Sequence, residues 1–253
     1  MAYTSISFEQ IANAALKATS VLALNGYESC LSGPLACAMY GRGIAMPNPY
    51  VCTLCENVGL VVQCGVYSLL SPPQRVDIVV LSGQHNSDQL RELLSKDEAF
   101  FIAITKQPQS IRENLYCRGP DSVAVRVVIL TPGLIGLSSP VIPVGQMNHA
   151  TVNGQRLSAL PAIPLLFLLL QTWDKHRKAE WPETKCKQDL DIRFINALAK
   201  AAADRGNHRR ECDWVPSGLI DEGRRLFREF ARQSLVEDLR DWNSIGFSRF
   251  EYY

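Results

Sequence analysis

Chemistry needs titratable, nucleophilic or metal-binding side chains at usable spacings, and this chain offers few such groups. Cys52-x-x-Cys55 with Cys64 is half of a zinc signature, and His85 would have to supply the fourth ligand. Structural zinc sites use two well-spaced pairs, so one pair plus a lone thiol reads more simply as unrelated reduced cysteines. Cys30 and Cys37 flank a Gly33-Pro34 turn and read as small buried residues. His176 and Arg177 follow Trp173, and Lys187, Asp189, Asp191 and Arg193 come soon after. They either line a cleft opposite Asp77, with His176, Lys187 and Asp191 as its candidate residues, or form an exposed helical face with a Lys187–Asp191 ion pair. Asp189 and Asp191 cannot point the same way on a helix, so one of them is structural. No Gly-x-Ser-x-Gly elbow, Walker A loop or dinucleotide fingerprint occurs.

The elements that must position these groups are legible in outline. Ser7 can cap a first helix that buries Phe8, Ile11, Ala12, Ala15 and Leu16 and stops at Gly26. Ser29 to Leu31 reads as a short strand, and Leu35 to Tyr40 as a short helix after the Gly33-Pro34 turn. RVDIVVL (75–81) and VAVRVVIL (123–130) are β-branched and apolar, which predicts buried strands. Ser87 to Leu94 is predicted helical and Phe100 to Thr105 extended, while 133–159 reads as a loop with short elements. Helices are predicted at Pro164–Lys178, Thr184–Asp204 and Pro216–Arg232, two of them with proline near the first turn. The aromatic tail, Trp242, Phe247, Phe250 and Tyr252, either docks or frays. This order predicts an α+β (α/β) protein: a small mixed sheet with flanking helices over 1–150, and a helical portion over 151–253.

Composition narrows the function classes. The 253 residues carry 26 Lys and Arg against 25 Asp and Glu, a net charge of +1, which gives no strong nucleic-acid signal. Of those 51 charges, 31 fall in the last 83 residues and have mixed sign, the pattern of solvated helical faces. A hydrophobic content of 47% excludes wholesale disorder. The longest apolar run, Leu160 to Leu170, is too short for a membrane span and carries two prolines. Residues 1–10 hold no Lys or Arg, so no secretory leader is recognised and a cytoplasmic, intracellular protein is expected. Its eight cysteines are then expected to be reduced thiols.

Several of these pieces occur in the order found in one superfamily. Gly33-Pro34-Leu35-Ala36, then Met39-Tyr40-Gly41, then Val76-Asp77-Ile78-Val79-Val80-Leu81 resemble the nucleotidyltransferase fold. The chain resembles, more closely, uncharacterised fungal nucleotidyltransferase-like proteins. Further matching pieces are VILTPG (128–133), PLL (164–166), QTWDKHR (171–177) and KQDLDIR (187–193), so the resemblance runs from about residue 20 to 235. Members of the superfamily open a helix with a Gly-Gly or Gly-Ser turn and hold two divalent cations on three strand-borne carboxylates. The cations bridge the nucleotide phosphates, activate a hydroxyl and steady the leaving pyrophosphate. The resemblance implies Mg²⁺ and a nucleoside triphosphate as cofactor and substrate. It places the catalytic and metal-binding carboxylate at Asp77, and nucleotide binding at Ser32, Gly33 and Arg75.

The chain departs from that pattern inside the site. Asp77 matches the second Asp of the Asp-x-Asp pair, but Arg75 stands at the first, and a guanidinium cannot bind Mg²⁺. The third carboxylate falls at Val128, and the second small residue of the turn is Pro34, which has no N–H for a phosphate. A Lys common in the apolar helix before the Trp is Leu169. These departures predict a degenerate metal site, with Arg75 still able to hold an anion, and therefore nucleotide binding without turnover. The alternatives are an active enzyme moving a nucleoside monophosphate to a small-molecule, protein or RNA acceptor, and a non-catalytic protein that binds a protein partner.

The segment before Asp77 is a second departure. In the look-alikes a short loop precedes the Asp-bearing strand, whereas here an atypical insertion occupies about 49–75. Residues 49–74 contain a single charge, Glu56. Val51 to Gln74 fits a translated intron: Val-Cys can be encoded as GT-N-TG-Y, a donor site, and Gln74 as CAG, an acceptor site. The other reading is a genuine hydrophobic insertion. Sequencing the transcript across Asn48 to Asp77 separates the two.

Overall fold

The computed structural model describes residues 6–40, 75–81, 86–107, 110–119, 123–131, 147–185, 187–233 and 235–247. Cys52, Cys55, Cys64 and His85, the insertion at Val51–Gln74, and Phe250 and Tyr252 of the tail lie outside the described residues. The chain divides into a sheet unit (1–39, 73–161 and 214–216) and a helical unit (40–72, 162–213 and 217–253).

The sheet unit begins with helix α1 (Phe8–Leu24). Ser7 Oγ accepts from Gln10 N at 3.2 Å, and Gln10 Oε1 accepts from Ser7 N at 2.7 Å. This reciprocal cap satisfies two otherwise orphaned donors, a contribution of about 1 kcal/mol. Ile11, Ala12, Ala15 and Leu16 are buried as expected, whereas Phe8, in the first turn, is exposed. The helix ends at Gly26, whose φ of +82° lets Tyr27 N reach Leu22 O at 2.9 Å. Strand β1 (Ser29–Ser32) and helix α2 (Gly33–Tyr40) follow without a loop. Strand β2 (Arg75–Val80), helix α3 (Ser87–Ser95) and strands β3 (Phe100–Gln107), β4 (Ser110–Arg118) and β5 (Ala124–Leu130) come next. A hairpin of β6 (Asn148–Val152) and β7 (Gln155–Ala159) completes the unit.

Among the described residues the seven strands form one sheet, in the order β3-β4-β5-β2-β1-β7-β6. It is mixed: β2 and β5 run parallel, as do β1 and β7, and the other neighbours are antiparallel. Alternation along each strand gives the sheet two chemically different faces. One carries Val76, Ile78, Leu115, Cys117, Val125 and Val127, all buried beneath α1 and α3. The register sends Arg75, Asp77, Tyr116, Arg126 and Val128 to the other.

The α+β class expected from the sequence is the class observed. Within the sheet unit one stretch differs from expectation: strand β4 lies where no element is predicted. β6 and β7 are short elements of the kind expected within 133–159, and they pair as a regular hairpin. Its turn, Asn153-Gly154, has φ of +50° and +77°, the pair of values a two-residue primed turn requires.

The helical unit contains α4 (Ala162–Arg177), α5 (Pro182–Lys185), α6 (Gln188–Asp204), a 3₁₀ turn (Arg209–Cys212), α7 (Ser217–Arg232) and α8 (Leu239–Ser244). The helix expected at Thr184–Asp204 is two helices, α5 and α6, broken near Lys187. The core is aromatic. Trp173 meets Phe230 edge-on at 5.1 Å, and Trp242 stacks on Phe227 at 4.5 Å. Phe247 packs edge-on against Phe167 and Trp242, both at 5.8 Å. The described part of the tail is therefore docked. Each such ring contributes about 1.5–3 kcal/mol by burial.

Candidate functional site

Asp77 sits inside β2 with its carboxylate almost fully buried, 6% exposed. Its partner is Arg75, two residues earlier on the same face, with Nε 3.2 Å from Asp77 Oδ1. Arg75 itself is 49% exposed, so it caps the buried acid from the solvent side. Burial pushes the Asp77 carboxyl above the usual carboxylate range. The nearby charges of Arg75 and Arg126 pull it down without cancelling that effect.

The turn before α2 closes on the same group. Ser32, at the end of β1, is buried and pairs in register with Asp77. Gly33 has φ of +64°, and a Cβ there would overlap the Asp77 carboxylate. Glycine is therefore required twice, for its backbone angle and for its missing side chain. Pro34 follows within α2 and offers no N–H. Cys30 and Cys37 are buried thiols, as expected; burial alone pushes Cys30 up to about 12, and Cys37 is raised chiefly for the same reason.

Across the parallel β2–β5 ladder, Asp77 is opposite Val128 and Arg75 is opposite Arg126. The strand position nearest Asp77 on β5 thus holds an aliphatic side chain, and the next row holds two guanidinium groups. Among the described residues no group of three or more His, Cys, Asp or Glu could hold a metal ion. A two-cation centre needs several hard oxygen ligands. Asp77 is one carboxylate, held by an arginine, with no second acid in register beside it. The described residues around Asp77 do not fit the Mg²⁺ pair that the resemblance implies.

The remaining candidates lie in the helical unit. His176, in the last turn of α4, has Nδ1 2.5 Å from Asp191 Oδ2 on α6. Asp191 is buried while Asp189 is exposed, so the two acids face opposite ways. Lys187 is exposed at the N-cap of α6, where its carbonyl accepts from Asp191 N at 3.1 Å. The Asp191 carboxylate joins α6 to α4 through His176. Beside it, Asp174 accepts from Arg177 Nε at 2.8 Å and Lys178 Nζ at 2.7 Å. Arg177 also lies over the Trp173 ring at 4.9 Å and meets Glu229 of α7 at 3.4 Å. Two of these pairs join helices, His176–Asp191 between α4 and α6 and Arg177–Glu229 between α4 and α7, while Asp174 is held by neighbours in sequence.

Sequence reasoning missed Arg126 and Tyr116. Arg126 is half-buried in β5 and faces the same side as Arg75. Its signal was available: a single charge breaks the apolar run VAVRVVIL, which a strand buried on both faces would not carry.

The fold defined by this sheet and its flanking helices is of the nucleotidyltransferase-like α+β type. The chain is similar to the crystal structure of an antigenic nucleotidyltransferase-like protein from Paracoccidioides brasiliensis, with a TM-score of 0.50 and 13% identity. The likeness covers 94% of this chain and 99% of that one, and at this identity it shows the fold alone. No family model matches the chain, and no curated protein matches it. No helix among the described residues is long and apolar enough to cross a membrane.

Proposed function

We propose that this chain is a nucleotidyltransferase-like protein that binds a nucleotide but does not turn it over by the metal-dependent route. The observation that carries the reading is the Arg75–Asp77 ion pair, with Val128 in register beside Asp77. An arginine can neutralise a buried acid and offer donors to an anion, but it cannot polarise a phosphoryl oxygen as a cation pair does. Ser32 and Gly33 contribute the tight approach of backbone to Asp77, and Pro34 removes one of the amide donors a phosphate would use.

The test measures thermal unfolding and pyrophosphate release with each of the four nucleoside triphosphates, with and without Mg²⁺. At a ligand concentration about 100 times Kd, binding contributes about 2.7 kcal/mol of stability, a rise of about 5–10 °C in Tm for a chain of this size. A rise of that kind without pyrophosphate release is the expected result. Mg²⁺-dependent pyrophosphate release would instead establish an active transferase. A flat response to all four nucleotides would leave the fold serving a protein partner.

A further inference from the structure

We propose that Arg75 and Arg126 form a metal-independent cradle for the phosphoryl group of a nucleotide, with the Tyr116–Phe101 stack beside it receiving the base. The inference rests on the nucleotide-binding reading above and states how that site works without cations.

Register aligns the groups. Phe101 pairs with Tyr116, Tyr116 with Arg126, and Arg126 with Arg75, so one row crosses β3, β4, β5 and β2 on a single face. Neighbouring strands are about 4.8 Å apart, which brings the two guanidinium groups within reach of one phosphoryl group. The face is the one that α1 and α3 do not cover. Lys17 of α1 and Asp97, just after α3, act on Cys117, which points the opposite way from Tyr116.

Arg75 reaches Asp77 through Nε, which leaves both terminal nitrogens for a ligand. Asp77 is thus a positioning residue: it fixes the guanidinium plane and presents the outer fork to solvent. Arg126 makes no ion pair with the described residues, and Asp77 is the acid that acts on both arginines. Two guanidinium charges against one carboxylate leave a net positive row, complementary to a phosphoryl dianion. At the end of the row, Phe101 and Tyr116 lie nearly parallel with ring centroids 5.5 Å apart, and the Arg118 guanidinium sits 4.9 Å over Phe101. A stacked, cation-flanked aromatic pair suits a planar base.

The probes are ATP and inorganic phosphate, titrated calorimetrically against the full chain in EDTA and again in Mg²⁺. ATP is expected to bind equally in both buffers. Arg126→Gln is expected to weaken ATP and phosphate alike by at least about tenfold. Tyr116→Leu is expected to weaken ATP while leaving phosphate unchanged. Should Arg126→Gln fail to fold, Arg126→Lys keeps the charge and loses the planar fork, and several-fold weaker binding is expected. ATP binding that requires Mg²⁺, or that survives both Arg126 variants undiminished, overturns the cradle while leaving nucleotide binding intact. Absence of ATP binding in either buffer overturns the nucleotide reading itself.

Discussion

Asp77 is destabilising as an anion and useful as an anchor. Burial raises its proton affinity above that of an exposed Asp, and Arg75 with Arg126 recovers part of the cost. A carboxyl whose folded pKa is raised contributes its full stability below the unfolded value of about 3.9, and that contribution is lost as pH rises through the folded pKa. Asp77→Asn keeps the shape and removes the charge. It is therefore expected to raise Tm at pH 7 by about 2 °C or more, read by circular dichroism; a lower Tm would mean that the Arg75 pairing outweighs desolvation. Gly33→Ala probes the same contact from the turn. The left-handed backbone costs about 1 kcal/mol, and the new methyl overlaps the carboxylate. A total loss above about 2 kcal/mol is expected in urea unfolding. In an Asp77→Ala background the overlap vanishes, and the same substitution should cost only the backbone share.

The elements show why some of this was legible in the sequence and some was not. α1 was readable because Ser7 and Gln10 are a cap, the apolar spacing is helical and Gly26 is a stop. β2 and β5 were readable as apolar β-branched runs, but their adjacency came only through the resemblance that set Val128 beside Asp77: a parallel crossover is encoded by no local pattern. β4, SIRENLYCR, mixes polar and apolar residues because it lies toward one side of the sheet, next to the edge strand β3. The β6–β7 hairpin had a readable signal, Asn153-Gly154, which composition around it obscured. Helix contacts were hidden in the same way. Gly223 looks like a weak point of α7, and replacing it with Ala would add about 1 kcal/mol of helix propensity. Its added Cβ, however, would enter the ring of Phe167 on α4. That ring is buried and abuts Phe247, so it has little room to swing. Overpacking costs about 1–3 kcal/mol, so Gly223→Ala should shift the urea midpoint downward; an upward shift would show that the α4–α7 contact can open.

For the whole molecule, the two units contribute acid responses of opposite sign. Burial raises the Asp174 carboxyl, but hydrogen bonds from Lys178 and Arg177, with their charges, bring it below the usual carboxylate range. A depressed pKa contributes stability above the unfolded value of about 3.9, lost as pH falls through the folded pKa. Asp77 in the sheet unit works the other way, gaining as pH falls toward that same value. Tm measured from pH 3 to 7 therefore carries slopes of both signs, and Glu222 and Asp238, lowered by their hydrogen bonds from Arg225 and Arg240, add to the Asp174 limb. Asp174→Asn should flatten the fall below about pH 4, because a neutral amide beside Arg177 and Lys178 takes up no proton there, and Asp77→Asn should flatten the decline above it. Trp173 and Trp242 are buried in the helical unit, whereas Trp214 belongs to the sheet unit and Trp181 is exposed, so the total fluorescence reports both units. The carboxylates share no ion-pair partner: Asp77 uses Arg75, and Asp174 uses Arg177 and Lys178. In the double variant the two changes should add to within about 0.5 kcal/mol. A larger deviation would mean that ionisation in one unit is felt in the other.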